Sequence, residues 1–278
     1  MTGEVSRDRG RSTVRALTAW WRARILARER RRYAPADRAA AWAALPLLAG
    51  LPPEQAARLA DLALLFLRDK RLEPVQGLVL TDRMRLIVAL QAALPILELG
   101  LDWYRGWYAV ILYPSEFVSG QEYLDADGLV WVDDQVKSGE AWERGPVILS
   151  WADVAAGLER DGYNVVLHEM AHKLDLRDGA ANGRPPLHSD MAAQTWTRAL
   201  SAAYADLARR VEQGEDTPLD PYGAESPGEF FAVVSEAFFE TPDLLDDCYP
   251  SVYEQLRAFY RQDPRRRRGP GDAGPPGR

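Results

Sequence analysis

The sequence predicts an α+β fold, mostly helical, with a small mixed sheet between a helical front and a helical back. Three observations carry that prediction. Apolar residues recur at helical spacing from Pro53 to Leu99. Three short runs rich in β-branched and aromatic residues follow, between residues 107 and 151. Helical periodicity then returns and persists to Pro264. Strands and helices are segregated along the chain rather than alternating, which separates α+β from a doubly wound α/β arrangement.

The elements follow in order. Residues 1–12 are polar and rich in Arg and Gly. Residues 13–32 suit a basic helix, with Trp20, Trp21 and Ile25 as its apolar edge. Such an arm is a solvated helix docked by its tryptophans, an untethered tail, or a surface for an anionic membrane or acidic partner. In "PPEQAARLADLALLFLRDKR", Leu59, Leu62, Phe66 and Leu67 share one face, and Pro53 stands near the start. "TDRMRLIVALQAALPILEL" opens at a cap, Thr81 or Asp82, and bends or stops near Pro95. The strand candidates are "WYAVILYP", "GLVWVDD" and "GPVILSW". Four helices follow: "DGYNVVLHEMAHKLDLRDG", closed by Gly179; "DMAAQTWTRALSAAYADLARRVEQG", closed by Gly214; "SPGEFFAVVSEAFFETP"; and "YPSVYEQLRAFYRQDP". The Pro/Gly-rich tail, residues 265–278, reads as disordered.

Bulk properties narrow the function classes. The net charge of −7 argues against direct nucleic-acid binding. The single cysteine, Cys248, excludes an intramolecular disulfide and a cysteine-based zinc cluster, and it suits a reducing compartment. The N-terminus lacks the apolar core of a secretory signal. The most apolar run, Leu86 to Leu101, is too short to span a bilayer and is interrupted by Pro95. These features predict a cytoplasmic protein without a membrane span.

Two of the three histidines in the chain fall in "VVLHEMAHKLD". Residues four apart lie on one helix face, so His168 and His172 can reach one ion. Glu169 is rotated about 100° from His168. It can stand beside a water on that ion and act as general base. This is the zincin pattern H-E-x-x-H, which supplies two Zn2+ ligands and a base for attack on a peptide carbonyl. The preceding Val165, Val166 and Leu167 carry the helix into an apolar interior, where bare polar groups would be costly.

A catalytic zinc needs a third protein ligand. His188 is a candidate by residue type. The longer motif with Gly and His further along is absent, because Asp175 and Asp178 occupy those positions. A carboxylate from a later helix is the alternative: Glu225, Glu229, Glu236 or Glu240. Glu229, Val233, Glu236 and Glu240 form one stripe on a helix otherwise covered by aromatics. Ser226-Pro227-Gly228-Glu229 is also a capping box, so spacing leaves Glu229 open between ligand and cap.

The chain resembles the Mlc titration factor A family of zinc-dependent peptidases from about Leu45 to Pro264. The resemblance rests on "KRLEPVQGL", "LPILELGLDWYRGW", "LYPSEFV", "SGEAWERGPVILSW", "HEMAHKLD" and "EFFAVVSEAFFETPDLL". It implies a zincin-like metalloprotease fold and an active site similar to that of the anthrax lethal factor catalytic domain. It implies Glu229 as the third ligand of one Zn2+ per chain and Tyr222 as donor to the developing oxyanion. Asp175 and Glu236 are expected behind the ligands: Asp175 three residues past His172, where it could accept the second ring N–H, and Glu236 on the Glu229 face. The alternative for both is an ordinary salt bridge, with Lys173 or Arg177 close by.

The resemblance also implies aminopeptidase-like action on a peptide substrate and binding of an Mlc-like transcriptional repressor. A non-catalytic zinc protein that sequesters a transcription regulator is the second reading. The domain plan is a basic arm over 1–33, one zinc peptidase domain over 34–264 (helical front 34–104, catalytic part 105–264) and the tail 265–278. Both ends depart from the family pattern.

Overall fold

The computed structural model describes residues 23–115, 117–118, 121–124, 130–133, 136–137, 139–141 and 145–267. The expectations for residues 1–22 and 268–278 lie outside the described residues. The described part of the arm is helical over 23–32 (α1), and Arg30 pairs with Asp61 at 2.6 Å.

The helical front continues with α2 (Pro35–Ala43), α3 (Pro53–Asp69) and α4 (Asp82–Ala93). Proline at the first turn starts α2 and α3, where its missing N–H has no intrahelical partner to lose. Thr81 caps α4, its side chain accepting the Met84 amide at 3.2 Å. Every residue of α4 from Leu86 to Ala93 is buried, Gln91 included, so this stretch is enclosed on all sides and forms the centre of the front.

A strand absent from the sequence reading follows α3. β1 (Arg71–Pro74) pairs in parallel with β2 (Ala109–Tyr113), Leu72 opposite Val110. The helical pattern of the sequence runs through Arg71. The chain instead turns extended at Lys70, φ −108° and ψ 130°. The buried Lys70 Nζ donates to the carbonyls of Tyr104 and Trp107, each at 2.6 Å, and pairs with Asp69 at 2.8 Å. Those partners satisfy a cation that burial would otherwise penalise, and burial lowers its pKa.

β2 pairs in parallel with β8 (Val147–Ser150), and the antiparallel β7 (Gly139–Ala141) lies on the far side of β8. The sheet order is β1-β2-β8-β7, a small mixed sheet. Two antiparallel ribbons connect β2 to β7. One pairs β3 (Phe117–Val118) with β6 (Val136–Lys137), the other β4 (Gln121–Leu124) with β5 (Val130–Asp133).

The helical back comprises α5 (Trp151–Ala156), α6 (Val165–Asp175), α7 (Ala193–Gln213), α8 (Pro227–Glu240), α9 (Pro242–Cys248) and α10 (Pro250–Tyr260). α6 packs on β7 and β8 and also on α4 and α8, which makes it the pivot of the molecule. α8 is buried along almost its whole length. Phe231 meets Trp196 and Phe259, and Phe238 stacks on Tyr260 with ring centroids 5.5 Å apart. The tail departs from expectation at its first three residues. Arg265 pairs with Asp243 and Asp246 of α9, and Arg267 is buried against Gln262, so packing continues to residue 267. Among the described residues no helix is long and apolar enough to cross a membrane.

Candidate metal centre

α6 starts later than its sequence pattern. Gly162 takes φ +100°, and Asn164, extended at φ −154°, caps the helix by accepting the Leu167 amide at 3.0 Å. Asp161, Gly162 and Tyr163 therefore lie outside it. One turn into the helix, His168 and His172 sit with ring centroids 4.8 Å apart and Nε2 atoms 3.1 Å apart. Glu169 between them is buried, and its charge is felt at His168, Tyr222 and Lys173.

α8 brings the third group. Ser226 caps it, the Oγ accepting the Glu229 amide at 3.1 Å. The Glu229 carboxylate turns instead to the imidazoles, with Oε2 3.0 Å from His168 Nε2 and 3.2 Å from His172 Nε2. The two readings of Glu229 thus use different atoms: its amide completes the cap, and its carboxylate joins the cluster. His168, His172 and Glu229 are the group within the described residues whose donor atoms converge as a metal site.

The arrangement fits a tetrahedral ion. Two donors bound at about 2.05 Å with a tetrahedral angle between them stand about 3.3 Å apart. The three separations here are 3.0, 3.1 and 3.2 Å. Two imidazole nitrogens and one carboxylate oxygen are also a donor set that Zn2+ prefers. The electrostatics agree. Burial would push the Glu229 carboxyl up, but hydrogen bonds from His168 and His172 outweigh it and hold the group well below the usual range. Burial opposes charge on His168, yet Glu236, Glu229 and Glu169 together raise its pKa well above the ordinary value. The cluster favours positive charge at its centre.

Behind the cluster, His168 Nδ1 lies 2.7 Å from Glu236 Oε1. The other oxygen of Glu236 accepts the Asn164 amide at 2.5 Å. The Asn164 side chain donates to Gln91 Oε1 at 2.7 Å and to Glu240 Oε1 at 2.9 Å. Sequence reasoning did not single out Asn164 or Gln91. For Asn164 a signal existed: an Asn directly before an apolar helical run is a cap. Gln91 carries no such signal, because nothing along α4 tells which buried position faces the α6 cap.

Asp175 is placed differently from expectation. Its Oδ2 accepts the Gly183 amide at 2.7 Å, and its Oδ1 has no hydrogen-bond partner, so it does not hold the second ring N–H of His172. The reason is the loop after α6, which turns back and offers its own amide first. Burial raises the Asp175 carboxyl to about 6, against the Gly183 amide and the charge of His172. Arg177 and Lys173, the salt-bridge alternatives, bond the carbonyls of Asp102 and Gly145.

Tyr222 stands beside the cluster with its ring 6.0 Å from that of His168, and it is 46% exposed. Asp220 holds its amide at 2.9 Å. Burial and the nearby carboxylates, Glu229 first among them, push its phenol well above the usual range, so the hydroxyl stays protonated. His188 lies apart, with Nε2 2.8 Å from the Phe259 carbonyl and its ring against Trp103. Glu225 is exposed on the turn before α8.

Comparison with known proteins adds the family context. Residues 17–261 match the glucose-regulated metallo-peptidase M90 family. A Mlc titration factor A from Yersinia enterocolitica serotype O:8 / biotype 1B is 43% identical over 224 residues, covering 79% of this chain and 83% of that protein. Mlc titration factor A from Yersinia pestis strain Pestoides F and from Yersinia pseudotuberculosis serotype O:1b are each 41% identical over 223 residues, 79% of this chain and 82% of theirs.

Proposed function

This chain belongs to the glucose-regulated metallo-peptidase M90 family, and from that premise we propose that it is a zincin-like zinc peptidase with aminopeptidase-like action. The observation that carries the reading is the convergence of His168 Nε2, His172 Nε2 and Glu229 Oε2 at tetrahedral spacing. These three residues would hold one Zn2+. When bound, the ion polarises a carbonyl and makes a water acidic enough to lose its proton near neutral pH.

The remaining roles belong to the chain. Glu169, on the same helix but rotated away from the histidines, takes the proton of the attacking water and passes it to the leaving amine. Tyr222, held protonated, donates its hydroxyl to the carbonyl oxygen as that oxygen gains charge. Glu236 holds the His168 ring by Nδ1, which leaves the Nε2 lone pair directed at the cluster. Asn164 fixes Glu236 through its amide and caps the helix that carries both histidines. The single cysteine suits a reducing, cytoplasmic setting.

The test combines metal analysis with an assay on paired peptides, one N-blocked and one with a free amine. Stoichiometric zinc, lost in His168→Ala, and cleavage of only the free peptide are the expected results. Zinc-loaded protein that cleaves neither peptide would remove the enzyme reading.

A second reading has its own support, since the relatives carry the name Mlc titration factor A. On this reading the chain binds an Mlc-like repressor and draws it from its operator. Release of such a repressor by Glu169→Gln as efficiently as by wild type is the result that separates binding from hydrolysis.

A further inference from the structure

The two ligand-bearing helices are joined by more than the metal cluster. Asp175, the last residue of α6, is fully buried three positions beyond His172. Its Oδ2 accepts the Gly183 amide at 2.7 Å. The Gly183 carbonyl accepts Trp196 Nε1 of α7 at 3.0 Å, and Trp196 is itself buried. The other side of Gly183 presses on the first turn of α8. A Cβ on Gly183 would come within 2.4 Å of the Pro227 carbonyl oxygen. A second close approach lies beside it: a Cβ on Gly228 would stand 3.1 Å from the Ala181 carbonyl oxygen. Gly183 also has φ +75°, a conformation that disfavours any side chain. Glu229 is the next residue along α8.

We propose that this backbone strut, from Asp175 through Gly183 to Pro227 and Gly228, sets the position of Glu229 against His168 and His172. Asp175 and Gly183 are then positioning residues of the metal centre. The proposal deepens the metal-site reading above and rests on it.

The physical argument is one of tolerance. Metal–ligand distances hold to about 0.2 Å. The first turn of α8 can be placed that closely if it abuts something rigid. Backbone against backbone, with no side chain between, is the stiffest contact available, and one glycine in each of the two contacts is what permits it. Trp196 ties the same loop to α7, so the strut is anchored in three helices. A Cβ on Gly183 must push Pro227 away, by a distance several times the tolerance, and Glu229 goes with it.

The experiment measures zinc affinity of the full chain by competition with a chromophoric chelator. Gly183→Ala and Asp175→Ala are expected to weaken zinc binding by about 10- to 100-fold, the range for loss of groups supporting metal ligands. Asp175→Asn keeps an oxygen for the Gly183 amide and is expected to bind zinc within about threefold of wild type. Val252→Ala, a core variant in α10, should lower the melting temperature of metal-free protein without moving zinc affinity. It separates a general loss of stability from a loss of alignment.

Gly183→Ala and Asp175→Ala proteins that bind zinc as tightly as wild type would overturn the strut. So would Asp175→Asn falling as far as Asp175→Ala, because charge and not the amide contact would then be the cause. Should Gly183→Ala fail to fold, the Asp175 pair decides. Wild-type protein that binds no zinc overturns the metal reading as well, whereas normal wild-type binding with unshifted variants overturns the strut alone.

Discussion

Glu236 holds His168 by the ring nitrogen that faces away from the cluster, Oε1 to Nδ1 at 2.7 Å, although 68 residues separate the two along the chain. A carboxylate at that distance favours a proton on Nδ1. Glu236→Gln keeps the shape and removes the charge. It is expected to weaken zinc binding about 10-fold while the fold persists. Chelator competition and circular dichroism of the same sample check both halves.

Glu169→Gln removes the proposed base and leaves His168, His172 and Glu229 in place. Hydrolysis of a free-amine peptide should fall by 10²–10⁴-fold or more. Zinc content should equal that of wild type. A variant that cleaves at the wild-type rate would take the base role away from Glu169.

Tyr222→Phe deletes one hydroxyl from a side chain that is 46% exposed, so folding should be unaffected. If that hydroxyl meets the developing oxyanion, kcat falls by roughly 10²-fold with little change in KM. A drop confined to KM would make Tyr222 a binding residue instead.

Glu240 carries a pH prediction remote from the ligands. It is buried at 1% exposure, and burial raises its carboxyl to about 7, against the Asn164 hydrogen bond and the charge of Arg160. The folded state therefore keeps a proton that the unfolded chain releases near pH 4.5. Below that pH both states hold it and stability is unaffected. As pH rises toward 7 the fold loses stability, by at most about 3 kcal/mol at roughly 1.4 kcal/mol per tenfold in proton affinity. Glu240→Gln cannot ionise. Its melting temperature should exceed that of wild type at pH 8, with the gap closing by pH 5. A gap that widens on acidification would reverse the assignment.

Much of the fold was legible because its signals are local. Proline at the first turn, the Thr81 and Ser226 caps, left-handed Gly214 and the apolar faces of α3 and α4 are written within a few residues of where they act. β1 was not legible. Arg71 reads as the end of a helix and no strand signal marks the next three residues, and the groups that make the four a strand, the Tyr104 and Trp107 carbonyls on Lys70 and the parallel partner β2, lie more than thirty residues away. α9 is short and was likewise passed over, its Arg265 partner arriving only from beyond α10.

The site divides in the same way. His168, Glu169 and His172 are determined by sequence, because a four-residue interval on a helix puts two side chains on one face whatever surrounds them. Glu229 stayed open on spacing, since one residue can cap a helix with its amide and bind with its carboxylate. Only the packing of α8 against α6 aims that carboxylate at the imidazoles. The Gly183 partner of Asp175, the Glu236 and Glu240 partners of Asn164 and its pairing with Gln91 were decided by tertiary structure alone. Hydrogen bonds between distant segments depend on where the chain folds back, and local periodicity carries no record of that.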